Sequence, residues 1–391
     1  MKSDSASMID RQLPTSEAVA LLELTRDIAL NTLGPGVDAA EEHGEFPAAV
    51  MKTLGQAGLL SLPFPTEYGG GDQPYEVYLQ VLEELSSVWL SVGISVSVHS
   101  LACFPTAEFG TQDQRDRWLP MMLSGDTIGA YCLSEPQSGS DAAALTTRAD
   151  LTEEGYRING RKAWITHGDI ADFFNVMVRT GQAGAGGISC LLVQSPTPGL
   201  SAAPRERKMG AWASPTAGVL LEDVEVPTDH LIGDMNHGFK IAMSALDAGR
   251  LGIAACAVGL AQGALDAAVA YAQQRRQFGK PIADFQGLSF MLADMDTAIS
   301  AARSLYLDAA RHKDAGLPFG VLAAKAKLFA TDTAMMVTDN AVSVLGGYGY
   351  TKDFPIERYF REAKVLQIVE GTNQVQRMVI GRALTHTDSP S

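Results

Sequence analysis

The 391-residue chain is 46% hydrophobic and 19% charged with 38 glycines, which excludes a disordered protein and leaves room for two or three packed units. A net charge of −15 excludes the basic footprint that nucleic acid or an anionic membrane selects, although a few local arginines can still hold a phosphate-bearing small ligand. The four cysteines are far apart with no CxxC, which argues against a disulfide framework or a zinc site and for a reducing, cytoplasmic setting.

The N-terminal MKSDSASMIDRQLP lacks the apolar core of a signal peptide. Residues 1–127 read as a helical domain. Ala18, Leu21, Leu22 and Thr25 share a helix face, AAVMKTLGQAGLL runs into the breaker PFPTEYGGG, a third helix covers 74–90, and WLPMML at 118–123 closes the unit. Residues 128–237 read as a β domain, a small barrel or sandwich. YRI-NG-RKAWI at 156–165 predicts a hairpin turning at Asn159-Gly160, followed by FNVMV, ISCLLV and AGVLLEDVEVP.

Residues 238–391 read as a four-helix bundle. Phe285, Leu288, Leu292, Met295, Ile299, Ala302, Tyr306 and Ala309 alternate steps of three and four, and helices at 240–276, 319–345 and 356–369 surround that stripe. The apolar stretch 251–272 carries Gln262 and Asp266 among Ala and Gly, which suits a buried helix better than a membrane span. The fold class expected is therefore α+β and multidomain.

No GxGxxG opens a helix after a strand, and there is neither a P-loop nor a GxSxG elbow. The seven histidines lack ligand spacing, and His230 and His237 are expected at the surface. Four segments are more informative. In YCLSEPQSGSD (131–141), Ser134, Ser140 and exposed N–H groups can hold a ring edge or a pyrophosphate, or simply form a polar turn. In KAWITHG, Trp164 is either core or an aromatic wall, with Thr166 on the same strand face. In RRQFG, Arg275 and Arg276 suit a helix C-terminus and also a diphosphate. In LQIVEGTNQVQR, Gly371 breaks a helix that ends on Glu370 and Thr372 caps the next. A carboxyl in that apolar seam would be desolvated, which makes it a stronger base.

In this order and spacing the four segments, with LGGYGY, resemble the acyl-CoA dehydrogenase family over essentially the whole chain, in its short-, medium- and branched-short-chain types. The resemblance implies an FAD enzyme that oxidises an acyl-CoA to a trans-2-enoyl-CoA, with Glu370 as the base and the flavin as hydride acceptor. It implies flavin contacts from Tyr131, Leu133, Ser134, Ser140, Trp164, Thr166, Thr372 and Gln374. Arg275, Phe278, Gln286, Gly346 and Gly347 would reach the ADP half from a neighbouring subunit. Ser140, Asp247, Arg250 and Gly371 would lie near the thioester, with Arg377 or Arg382 assisting.

The isovaleryl-type branch carries its base where this chain has Gly249, which leaves Glu370 as the catalytic carboxylate. Ser343 and Gln137-Ser138 depart from the family pattern on the cofactor side. The resemblance also implies a homotetramer, an electron-transferring flavoprotein as acceptor, and a role in fatty acid or branched-chain amino acid metabolism. GISCLLV with GAWASPT leans toward an isobutyryl-type substrate. The rivals are an acyl-CoA oxidase or an acyl-carrier-protein dehydrogenase on the same fold, and more remotely a non-catalytic helical binding protein.

Overall fold

The Thr15 hydroxyl accepts the Ala18 amide at 3.0 Å and caps the first helix of a computed structural model that describes residue 9 and residues 11–385. Helices α1 (Ser16–Ile28), α2 (Val37–His43), α3 (Ala48–Gln56), α4 (Tyr75–Val88), α5 (Leu90–Phe109) and α6 (Gln112–Leu123) form the N-terminal part. On α1 the buried face is Ala18, Leu22, Thr25 and Ile28, while Leu21 is half-buried. The sequence pattern does not announce α5. Its residues are buried nearly all round, so there is no polar face to reveal the 3.6-residue period. Both α5 and the long helix α7 (Gly238–Gln274) are apolar and long enough to cross a membrane, but most of each lies buried against other protein elements.

Strands β1 (Gly129–Cys132), β2 (Arg148–Leu151), β3 (Tyr156–Thr166), β4 (Phe173–Arg179), β5 (Ile188–Gln194), β6 (Leu200–Ala202), β7 (Thr216–Val226) and β8 (Leu231–Ile232) form one eight-stranded sheet. Its order is β6-β7-β3-β2-β4-β5-β8, with β1 parallel to β4. The hairpin expected at Asn159-Gly160 does not form. Those residues lie inside β3, where the register against β7 slips between Ile158 and Gly160. The Asn159 side chain pairs with Asp223, and Gly160 (φ 154°) leaves no room for a side chain beside Thr147. The chain instead turns between β2 and β3, where the Thr152 amide donates to the Gly155 carbonyl.

After α7 come a short hairpin at 276–281, α8 (Gln286–Asp314), α9 (Gly320–Leu345), α10 (Ile356–Leu366) and α11 (Asn373–Thr385). Alanines line the buried faces of α7 and α9, which lets the two backbones approach closely. On α8, Met295, Ile299, Ala302, Tyr306 and Ala309 are buried, while Phe285 just before it and Leu288 and Leu292 in its first turns are only half-buried. Glu83 on α4 accepts from Arg11, Arg303 and the Tyr306 hydroxyl, tying α8 to the N-terminal helices.

His230, expected at the surface, is buried. Its Nδ1 sits 2.8 Å from the Leu192 carbonyl, and its ring packs edge-on to Trp118. His237 is exposed.

Candidate active site

Glu370 stands at the end of a turn that the helix rules would not choose. Its φ is 53°, in the left-handed region, and Gly371 follows at 91°. Three side-chain contacts hold this turn. Gln376 Nε2 donates to the Gly371 carbonyl at 2.8 Å and to the Glu370 carbonyl at 3.3 Å, and Lys327 Nζ donates to the Gly371 carbonyl at 3.0 Å. Asn373 joins in, accepting from Lys327 and donating to Thr331 and Asp332.

The turn aims the Glu370 side chain inward at α7. The residue as a whole is only half-buried, but both carboxyl oxygens are buried and neither has a hydrogen-bond partner among the described residues. Burial pushes this carboxyl up to about 7, against the pull of Lys327 and Arg250. Arg250 is itself paired with Asp247 on the same helix. The carboxyl lies against Gly249, where a Cβ would stand 2.8 Å from Glu370 Cδ and overlap Oε2. Gly249 also lines a cavity of about 140 Å³ between α4, α5 and α7, walled by Phe64, Tyr75, Tyr78, Leu101 and Phe104. A buried, unpartnered carboxyl with a raised pKa beside a cavity has the chemistry of a general base.

The second part of the site lies in the sheet. The Ala163 amide donates to the Ser134 carbonyl at 2.9 Å, so the segment carrying Leu133 and Ser134 runs beside the one carrying Trp164 and Thr166. Trp164 is not core. At φ 62° it sits within β3 where the register against β7 slips, and it is 64% exposed, while Thr166 is half-buried. Tyr131 is buried against α7, its hydroxyl 3.4 Å from the Ala242 carbonyl. Ser140 is exposed in the turn after β1, and Gln137 folds back to donate to Glu135 and Thr146.

A buried ion pair, which the sequence pattern does not reveal, fastens these two segments together. Lys162 Nζ donates to Glu135 Oε1 at 2.8 Å and to the Leu133 carbonyl at 3.1 Å, and both charged side chains are almost wholly buried. Burial alone would raise the Glu135 carboxyl, but Lys162 and the Thr146 and Thr147 donors hold it down to about 2. Lys162→Met would leave Glu135 buried without its cation and is expected to cost about 3–5 kcal/mol. Urea unfolding of the cofactor-loaded protein measures this, and an unmoved midpoint would show the pair to be dispensable.

The third cluster lies elsewhere. Arg275, Gly346 and Gly347 line an open pocket of about 620 Å³ with Tyr271 and Tyr348, and the Arg275 guanidinium lies 6.0 Å from the Tyr348 ring centre. Phe278, 93% exposed with φ 51°, and Gln286 are both exposed and do not line it. Thr372, Gln374 and Arg377 line a separate surface recess with Asp332 and Lys364, and Arg382 is exposed on α11. The Ser343 carbonyl accepts the Gly346 amide at the end of α9.

Residues that the sequence reading did not single out, above all Lys327, Gln376 and Asn373, hold the Glu370-Gly371 turn. One signal was available for Lys327. It falls on the face of α9 marked by Ala323, Ala326, Ala330 and Ala334, where a lysine is out of place unless it is paired.

Residues 15–126, 130–224 and 236–385 match the N-terminal, middle and C-terminal domain models of acyl-CoA dehydrogenases. A short-chain specific acyl-CoA dehydrogenase of Clostridium acetobutylicum is 43% identical over 368 residues, covering 94% of this chain and 97% of that protein. The structure of butyryl-CoA dehydrogenase from Megasphaera elsdenii superposes with a TM-score of 0.94 at 40% identity, covering 96% of this chain and 100% of that one. A chain solved in work on the electron transferring flavoprotein of Acidaminococcus fermentans and flavin-based electron bifurcation superposes with a TM-score of 0.94 at 43% identity, covering 97% and 100%. With its helical, β and helical parts in that order and matches of this extent, the chain belongs to the acyl-CoA dehydrogenase family.

Proposed function

We propose that this protein is an FAD-dependent dehydrogenase of short acyl-CoA thioesters in which Glu370 removes the α-proton. The observation that carries this reading is the Glu370 carboxyl, buried, without a hydrogen-bond partner and set against the cavity beside Gly249.

The cavity, of about 140 Å³ and lined by Tyr75, Leu101 and Phe104 among others, suits a short acyl chain. The isobutyryl lean taken from GISCLLV and GAWASPT rests on resemblance and not on this cavity. The first segment is β5, the second packs against Glu41 on α2, and neither lines the cavity. Glu370 accepts the α-proton on an oxygen that no other group occupies. The rigid turn fixed by Gln376 and Lys327 holds that oxygen in place, and orientation of this kind replaces much of the entropy cost of the encounter. Burial of the carboxyl itself keeps it a strong base.

The residues present fit FAD. An exposed Trp164 on the segment that runs beside Leu133 and Ser134 offers an aromatic wall, and Thr166 a donor. Gly346 and Gly347, with nothing near the position of an added Cβ, and Arg275 offer an open, cationic recess for a diphosphate. Thr372 and Gln374 would complete the ring side, and Phe278 and Gln286 the dinucleotide side of a neighbouring copy. The chemistry that FAD supplies when bound is acceptance of the β-hydride.

A homotetramer, an electron-transferring flavoprotein as electron acceptor and a cytoplasmic location are further parts of this reading. The likeness to the Acidaminococcus fermentans chain supports the second of them.

The test is anaerobic mixing of the flavin-loaded protein with butyryl-CoA across pH. Bleaching of the flavin band and a 2-enoyl product are expected. Because the base form of a carboxyl at about 7 grows as pH rises, the bleaching rate should climb through pH 7 and level above about pH 8. No bleaching with any short acyl-CoA would refute the activity, and a rate independent of pH between 6 and 8 would refute the base.

A further inference from the structure

The base turn rests on a buried cation that the proposed chemistry does not itself use. Lys327 on α9 is 0% exposed, among alanines, where an ammonium is unfavourable unless it is answered by charge or hydrogen bonds. Its Nζ reaches two neutral oxygens, Gly371 O at 3.0 Å and Asn373 Oδ1 at 2.9 Å. Burial draws the lysine down to about 8, and the charge that most opposes this is Glu370. In return Lys327 is the strongest charge acting on Glu370.

We infer that Lys327 is a positioning residue for Glu370: it pins the Gly371 carbonyl and supplies the buried positive charge against which the unpartnered carboxylate forms. The inference rests on the reading of Glu370 as the base. Anchor and charge come from one side chain, so they can be separated by substitution. The other groups around the carboxyl leave this role open. Arg250 on α7 is answered by Asp247. Tyr75 and Tyr78 on α4, Tyr131 on β1 and Cys256 on α7 are buried, and each is pushed well up by that burial, so they stay neutral in the working range. Asp332, which also acts on Lys327, is bound to Arg377, Gln367 and Asn373.

The experiment uses the FAD-loaded protein and two substitutions, Lys327→Met, which removes both anchor and charge, and Lys327→Gln, which keeps amide donors and removes the charge. Two quantities are read: the pH dependence of kcat with butyryl-CoA, and the infrared carboxyl band of Glu370 titrated without substrate, identified by its loss in Glu370→Gln. In both variants the acidic limb and the infrared midpoint should move up together by about one pH unit. That shift lowers kcat at pH 7 about fivefold. Lys327→Met should in addition lose rate on the alkaline plateau, through the freed turn, while Lys327→Gln keeps it.

A purely structural lysine would lower the melting temperature and leave both midpoints where they were, and that result overturns the inference. If Lys327→Met does not fold, Lys327→Gln carries the test alone, on the midpoints. A Glu370→Gln protein that still turns over would instead sink the base reading. A dead Glu370→Gln protein with unmoved midpoints in the Lys327 variants sinks only the role of the lysine.

Discussion

Replacing Glu370 by Gln lowers the rate of flavin bleaching by butyryl-CoA by about 10⁴-fold, the upper range for losing a positioned base, while FAD content and the dissociation constant of the acyl-CoA stay near those of the parent. The substitution keeps the shape of the side chain and the backbone hydrogen bonds that Gln376 and Lys327 make to the turn, so what disappears is proton acceptance. Bleaching at an undiminished rate would end the assignment.

The same substitution has a stability signature with a definite sign. The Glu370 carboxyl sits at about 7 in the folded protein against an ordinary 4.5, so the folded state holds its proton more tightly than the unfolded one. Stability therefore falls as pH rises from about 4.5 to about 7, by about 3 kcal/mol, and this loss is absent from the Gln variant. The gap between the two proteins in urea unfolding should open across that window and stay constant above it.

The second large effect comes from one methyl group. Gly249→Ala places a Cβ within α7 where Glu370 Oε2 lies, so the two cannot keep their present positions. Either the carboxyl swings away or the helix shifts, and a displacement of about 1 Å of a catalytic group costs about 10²-fold in rate. Alanine is the better helix former by about 1 kcal/mol, so helix propensity argues against a loss of fold. The expected result is a folded, yellow protein with kcat down about 10²-fold. Full activity would mean that the carboxyl has another resting place, and collapse of the fold would mean that the contact is structural first.

The order of helical, β and helical parts was legible in the sequence because each carries its own periodicity, most clearly the stripe from Phe285 to Ala309. The reading failed where periodicity is silent or local signals mislead. Helix α5 is buried on nearly every side, so no stripe marks it. Asn159-Gly160 has the composition of a tight turn, yet Asn159 finds Asp223 across the sheet and Gly160 is needed for its close approach to Thr147. Tertiary contact overrode the turn signal.

For the candidate site, the segments could be found but not the struts between them. Lys162 meets Glu135 across 27 positions, and Lys327 meets Gly371 across 44. No local pattern encodes such meetings. A charged residue on an otherwise apolar helix face or strand is the only trace that they leave.

Helix α7 also serves as a ruler. Gly249, which touches the Glu370 carboxyl, and Arg275, which lines the recess with Gly346 and Gly347, are separated by 26 residues. At 1.5 Å per residue that is about 39 Å of nearly continuous helix, longer than one dinucleotide can bridge with its ring at the first point and its diphosphate at the second. If both places serve the same kind of cofactor, each molecule of it must be shared between two copies of the chain, and a solitary subunit would own two half-sites and no whole one.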